Sequence, residues 1–259
     1  MSSTTTTIIT SNIQQQQKQI VLITGSNKGI GKATAKLFAS KGFITYVAAR
    51  NEAEGIKTKN ELTVEYPNAD VRFIQLEVGN TESVKAAVEK ITQETHSKLD
   101  ILINNAGVFM SVNQPSTYDS ESLRKTFDVN FFGVVEVTQL FLPLLRNGAA
   151  KVILNISSDL GSLNLLNYTD YKFSQINSLS YNSSKTALNA FTVMLAKELA
   201  ADGFKVHSVA PGFVKTPMNN FTGELEPEVA GNIIYEAAIK DNGTGRFLGS
   251  SFTTYPCAE

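Results

Sequence analysis

The chain has 259 residues, 42% of them hydrophobic and 18% charged, with a formal net charge of −1 and a pI near 6.2. That is enough for one sizeable α/β core, and so balanced a charge excludes nucleic acid or an anionic membrane surface as the natural partner. No continuous apolar run reaches the roughly 18 residues that a membrane helix needs.

Met1 to Gln17 differs from everything after it, with Thr4 to Thr7 and Gln14 to Gln17 in unbroken rows and no charged residue. It lacks the basic start and apolar stretch of a secretory signal and the arginines of a transit peptide. It therefore reads as a disordered extension, residues 1–17, ahead of one domain over 18–259. The single cysteine, Cys257, cannot form an internal disulfide and reads as a tail residue. It is compatible with a reducing compartment, and a cytoplasmic protein is expected. His96 and His207 are the only histidines and show no paired ligand spacing, so no metal site is expected.

From Gln19 onward short β-rich runs alternate with helical stretches. The first strand, Ile20 to Ile23, runs into the turn Thr24-Gly25-Ser26-Asn27-Lys28-Gly29-Ile30-Gly31, and a helix follows from Lys32. Glycines there let the backbone turn sharply and approach a pyrophosphate, whose charge meets the helix N-terminus. The second strand, Phe43 to Ala48, leads into Ala49-Arg50 with no carboxylate. A carboxylate at that point would bind a free ribose 2′-hydroxyl, whereas Arg50 together with Lys28 suits a 2′-phosphate. NADP(H) is therefore expected over NAD(H).

Further strands are read at Val71 to Leu76, Leu99 to Ile103, Val152 to Ile156 and Val206 to Val209, with a last one near Arg246 to Phe252. Helical patterns fill the gaps at Val84 to Thr95, Leu123 to Leu145 and Lys185 to Ala201. Nearly continuous apolar strands alternating with helices imply a doubly wound parallel sheet with helices on both faces, an α/β Rossmann fold.

A tyrosine four residues before a lysine puts both side chains on one helix face, where the ammonium favours the phenolate. The phenol then becomes a proton donor and acceptor usable near neutral pH. The spacing occurs twice, at Tyr168/Lys172 and Tyr181/Lys185. The first lies amid Asn and Ser with poor helix signals and reads as a surface coincidence. Tyr181 leads instead into Thr186 to Phe191, a helical run with an apolar face. In a strand, Ser157 and Ser158 would point to opposite faces.

The chain resembles the classical short-chain dehydrogenases/reductases from Lys18 to Ser250. The resemblance rests on Thr24-Gly25-x-x-x-Gly29-Ile30-Gly31, Asn104-Asn105-Ala106-Gly107, Val129-Asn130, Ile156-Ser157-Ser158, Tyr181-x-x-x-Lys185 and Pro211-Gly212-Phe213-Val214-Lys215-Thr216, in that order. Asn27-Lys28 beside Arg50 looks most like the NADPH-dependent carbonyl reductases. The resemblance implies a tetrad of Asn130, Ser158, Tyr181 and Lys185, with spacing to Gly161 favouring Ser158 over Ser157. It also implies Asn105, Ala106 and Gly107 against the adenosine ribose, and Val214 and Thr216 at the nicotinamide carboxamide. Tyr181 and Lys185 would contact the cofactor too. Asn130 would hold a water linking Lys185 to solvent, or serve as a hydrogen-bonding residue at a helix kink, and the two roles can coexist.

Two departures stand out. Glu77 occupies a position where the family usually carries aspartate, so the hydrogen bond to the adenine amino group is expected to shift while the Val78 backbone contact survives. The segment between Ser158 and Tyr181 is longer than in the simplest members, and Asn164 to Ser180 is expected to wall the substrate pocket with 108–114 and the residues after Thr216. Phe109, Met110, Phe213, Met218 and Phe221 in those stretches hint at an apolar substrate. The expected activity is NADPH-dependent reduction of an aldehyde, ketone or quinone. An alcohol dehydrogenase running towards oxidation and a silent nucleotide-binding sensor are the alternatives. Monomer and homo-oligomer stay open.

Overall fold

The computed structural model describes residues 18–110, 115–241 and 243–249. Seven parallel strands form one sheet: β1 (Ile20–Ile23), β2 (Ile44–Ala49), β3 (Val71–Gln75), β4 (Ile101–Asn104), β5 (Val152–Ile156), β6 (Lys205–Val209) and β7 (Phe247–Leu248). Their order is β3-β2-β1-β4-β5-β6-β7, so the winding reverses between β1 and β4. A crevice opens outside the carboxyl ends of the strands at such a reversal.

Side-chain alternation assigns each strand residue to one of two layers. Ile20 and Leu22 face helices α3 (Thr81–Thr95), α5 (Gly133–Arg146) and α7 (Leu179–Leu199). Val21 and Ile23 face α1 (Gly29–Ser40), α2 (Glu52–Glu65) and α8 (Pro227–Ile239). Helices α1 and α8 approach closely because position 231 has no side chain; a Cβ there would stand 3.0 Å from the Ala33 carbonyl carbon. The remaining helices are α4 (Ser120–Phe127) and the short α6 (Leu163–Asn167).

Helix starts lie earlier than apolar periodicity suggests, because the first turns are polar and set by caps. Asn80 accepts from the Ser83 N–H at 3.1 Å and starts α3 at Thr81 instead of Val84. Asp119 accepts from Glu121 and Ser122 N–H groups and starts α4 at Ser120 instead of Leu123. Helix α7 starts at Leu179, ahead of Lys185, although Asn and Ser crowd its first turns. There the hydroxyls fold back on the helix's own carbonyls, Ser183 onto Leu179 and Ser184 onto Tyr181, and so do not compete with it. A π-helical turn over Asp128–Phe132 joins α4 to α5. The last strand is confined to Phe247–Leu248, with Arg246 and Gly249 outside it; 250–252 of the segment expected there, the 1–17 extension and Cys257 lie outside the described residues.

The base of the sheet is pinned by Asp100, 7% exposed, just before β4. Its carboxylate accepts from the Ile20 N–H at 2.8 Å and from the Ala149 and Ala150 N–H groups at 2.7 and 3.3 Å. These bonds join the start of β1 to the turn before β5. Asp100→Ala strands those donors and is expected to lower unfolding free energy by about 3 kcal/mol, read from urea denaturation; an unchanged midpoint would show that the pin carries no weight.

Candidate functional site

The crevice begins at the turn after β1. Gly25 and Gly29 hold φ of 63° and 54°, the left-handed region in which a side chain is strained. A Cβ at Gly31 would lie 2.4 Å from Asn105 Nδ2 and 2.7 Å from the Gly25 carbonyl oxygen. Two side chains tie the turn down. Ser26 is fully buried, donates to the Ile23 carbonyl at 2.7 Å and accepts from the Ala48 N–H at 3.0 Å. Thr24 Oγ1 accepts from the Asn105 and Ala106 N–H groups, each at 3.0 Å, while Asn105 Nδ2 donates to the Thr24 and Gly25 carbonyls. Helix α1 has no side-chain cap and no acidic residue in its first turn. Its leading N–H groups and the positive end of its dipole therefore face a cradle without side chains, which fits a pyrophosphate.

The crevice has a volume near 450 Å³, within the usual range for a ligand site. Lys28, Arg50, Leu76 and Val78 line one end. Lys28 and Arg50 are exposed and make no ion pair among the described residues. Gly25, Asn27, Gly29, Ile30, Gly31, Asn105, Ala106, Gly107, Val214 and Thr216 also line it. Two expected cofactor residues do not: the Ser26 side chain is turned into the core, and exposed Glu77 projects outside the lining. Asn219 went unnoticed in the sequence; it accepts from Thr216 N–H and donates to the Val214 carbonyl, holding that segment against the crevice.

At the other end Tyr181 and Lys185 lie on one face of α7, with Lys185 Nζ 5.6 Å from the phenol ring centroid. The Ser158 hydroxyl lies near enough to the Tyr181 phenol to lower its pKa. Gly161 lets α7 close onto the turn after β5, since a Cβ there would sit 2.8 Å from Lys185 Cβ. Asn130, fully buried at the π-helical turn, accepts from Val108 N–H and donates to the Val108 carbonyl and to Ser184 Oγ. The kink and its hydrogen bonds are thus both present. The second tyrosine–lysine spacing is on the surface: Tyr168 is exposed and Lys172 pairs with Glu224 at 2.6 Å.

The electrostatics differ from expectation. Burial pushes the Tyr181 phenol up to about 12, and the Ser158 hydroxyl only partly opposes it. Burial also pulls Lys185 down to about 8, and its ammonium donates to the Ile156 carbonyl at 2.7 Å, not to the phenol. Desolvation outweighs the pairing because Lys185 is buried and Tyr181 half-buried among its neighbours.

Aromatic side chains wall this end. Phe109 meets Tyr181 edge-on at 4.9 Å between centroids, and Phe173 meets Phe213 at 5.3 Å. Phe173 and Ile176 come from the long segment before α7, so that segment does wall the crevice. Met218 also contributes, whereas Met110 and Phe221 are exposed and outside the lining; 111–114 lie outside the described residues.

Residues 19–226 match the model of the short chain dehydrogenase family. The short-chain dehydrogenase anuI of Penicillium roqueforti is 37% identical over 232 residues, 86% of this chain and 89% of its own. Retinol dehydrogenase 12 of Mus musculus is 34% identical over 76% of this chain, which spans 61% of that protein's length. The NADPH-bound carbonyl reductase from chicken fatty liver superposes with a TM-score of 0.81 at 25% identity, covering 92% of this chain and 99% of that one.

Between pH 8 and 10.5 the folded protein binds fewer protons at Lys185 than the unfolded chain does. Its stability penalty is therefore full below about 8 and fades as pH rises towards 10.5. Lys185→Met is expected to stabilise the protein without ligand by about 2 kcal/mol at neutral pH. That gain should shrink nearly to nothing at pH 10.5. Urea denaturation at both pH values reads the difference, and a gain independent of pH would contradict it.

Proposed function

We propose, because the chain belongs to the short-chain dehydrogenase family and is an oxidoreductase of that fold, that it reduces aldehydes, ketones or quinones with NADPH. The observation that carries the reading is one crevice with Ser158, Tyr181 and Lys185 at one end and two cations at the other, Lys28 and Arg50, that make no ion pair among the described residues.

NADPH, when bound, supplies the hydride. The glycine turn and the α1 N-terminus would hold its pyrophosphate, Lys28 and Arg50 its 2′-phosphate, and Leu76, Val78, Ala106 and Gly107 would flank the adenosine. Val214 and Thr216 would face the carboxamide. The Ser158 and Tyr181 hydroxyls donate to the carbonyl oxygen as negative charge develops there. Tyr181 then gives up its proton. Lys185 holds the nicotinamide ribose and, once drawn from the Ile156 carbonyl, brings a positive charge towards the phenol and lowers its high pKa. A Cβ at Gly107 would stand 3.3 Å from Asn130 Oδ1 and 3.6 Å from Lys185 Nζ. The absent side chain leaves room between them for a water that returns the proton.

A cytoplasmic location is part of the same proposal, and the helical stretch Ser120–Arg146 does not speak against it. By length and composition it could cross a membrane, yet Val137, Phe141, Leu144 and Leu145 on it are buried against the sheet.

In a steady-state assay of carbonyl reduction, kcat/KM with NADPH is expected to exceed that with NADH about 100-fold, and Arg50→Asp to remove most of that margin. Tyr181→Phe should lower kcat by about a thousandfold while NADPH still binds. A wild-type preference for NADH would overturn the cofactor assignment, and turnover surviving Tyr181→Phe would overturn the proton donor.

A further inference from the structure

Among the residues lining the crevice, Asp159 is the one acid. It follows Ser158 directly, in the single 3-10 turn Asp159–Gly161. Ser158 Oγ donates to Asp159 Oδ1 at 3.2 Å, and the negative charge of Asp159 is felt at the Tyr181 phenol. No cation pairs with Asp159 among the described residues. Lys185 is turned to the Ile156 carbonyl, while Lys28 and Arg50 line the nucleotide end.

This arrangement opposes carbonyl reduction twice. A bare carboxylate beside the point where an alkoxide forms raises the energy of that charge. It also draws the Ser158 proton that the alkoxide needs. A positive group on Asp159 would relieve both, screening the carboxylate and freeing the Ser158 hydroxyl for the substrate oxygen. None of the described residues brings such a group there, and a cationic substrate would. The rings of Phe109, Phe173 and Phe213 line the same end, and aromatic faces attract an ammonium.

We propose that Asp159 determines substrate specificity, and that the substrates are carbonyl compounds carrying a protonated amine. The proposal rests on the reductase reading above.

Three para-substituted benzaldehydes of similar size test it: one with a dimethylaminomethyl group, cationic at neutral pH, one with a neutral isopropyl group, and one with an anionic carboxylate. The quantity read is the ratio of kcat/KM for cationic over neutral substrate within each enzyme, which cancels any general loss of activity in a variant. Wild type is expected to favour the cation about tenfold and to disfavour the anion. Asp159→Asn should bring the cation ratio to about one, and Asp159→Glu should keep most of it. Calorimetry of benzyltrimethylammonium binding to the NADPH-saturated protein is a second reading that needs no turnover. Its Kd should weaken about tenfold in Asp159→Asn. Ammonium binding that depends on Asp159, without reduction of any aldehyde, would sink the reductase reading and leave the cation site standing. Equal ratios in wild type and Asp159→Asn, or ammonium binding indifferent to the substitution, would overturn the proposal.

Discussion

The clamp between Thr24 and Asn105 is the constraint on which the crevice depends. Where the strand order reverses, β1 and β4 are neighbours but their crossovers leave on opposite sides. Beyond the last paired residues the two chains would splay without a further bond. Thr24 Oγ1 receives two main-chain N–H groups from the β4 side, and the Asn105 amide returns two bonds to the turn. The clamp fits only because Gly31 offers no Cβ to the Asn105 amide. Fixing the turn in this way aims the first N–H groups of α1 into the opening, so phosphate affinity follows from one threonine, one asparagine and one missing methyl.

The opposite end is governed by desolvation. Lys185 is buried and Tyr181 half-buried in the crevice wall, and in that environment each resists the charged form. The lysine is held by a main-chain carbonyl and the Ser158 proton by Asp159, an arrangement in which neither is bonded to the phenol. It is poorly suited to proton transfer until a ligand supplies charge and competing donors. The pair is thus built to respond to what enters the crevice, and burial keeps Tyr181 protonated in the meantime.

The sheet was legible because strands buried on both faces need continuous apolar runs, and Ile20–Ile23 and Ile101 to Ile103 are such runs. The nucleotide turn and the Tyr181–Lys185 spacing were legible for a similar reason: each is a local pattern whose geometry follows from a few adjacent residues. What was hidden depends on partners distant in sequence. That Ser26 points inward is decided by the Ala48 N–H, and the orientation of Lys185 by Ile156. Asp159 sits in plain view beside Ser158, yet nothing in the sequence shows that the fold leaves it without a cation. Helix starts were misplaced for a further reason: caps such as Asn80 and Asp119 act through main-chain N–H groups that apolar periodicity does not register.

A buried polar ladder connects these two ends. Asn104 Nδ2 donates to Thr138 Oγ1 and Asn155 Oδ1, Asn155 Nδ2 donates to Thr192 Oγ1, and Ser208 Oγ donates to the same threonine. It crosses β4, β5 and β6 on the α5 and α7 side, at positions where an apolar core would serve packing equally well. Each amide nitrogen in it has a defined partner, so the ladder tolerates one register of α7 against the sheet, whereas apolar contacts would tolerate several. Register matters here because Tyr181 and Lys185 sit on α7 while Ser158 follows β5, and a shift of one helical turn would separate them by about 5 Å. The ladder therefore exchanges some burial energy for the alignment of a hydroxyl, a phenol and an ammonium in one crevice.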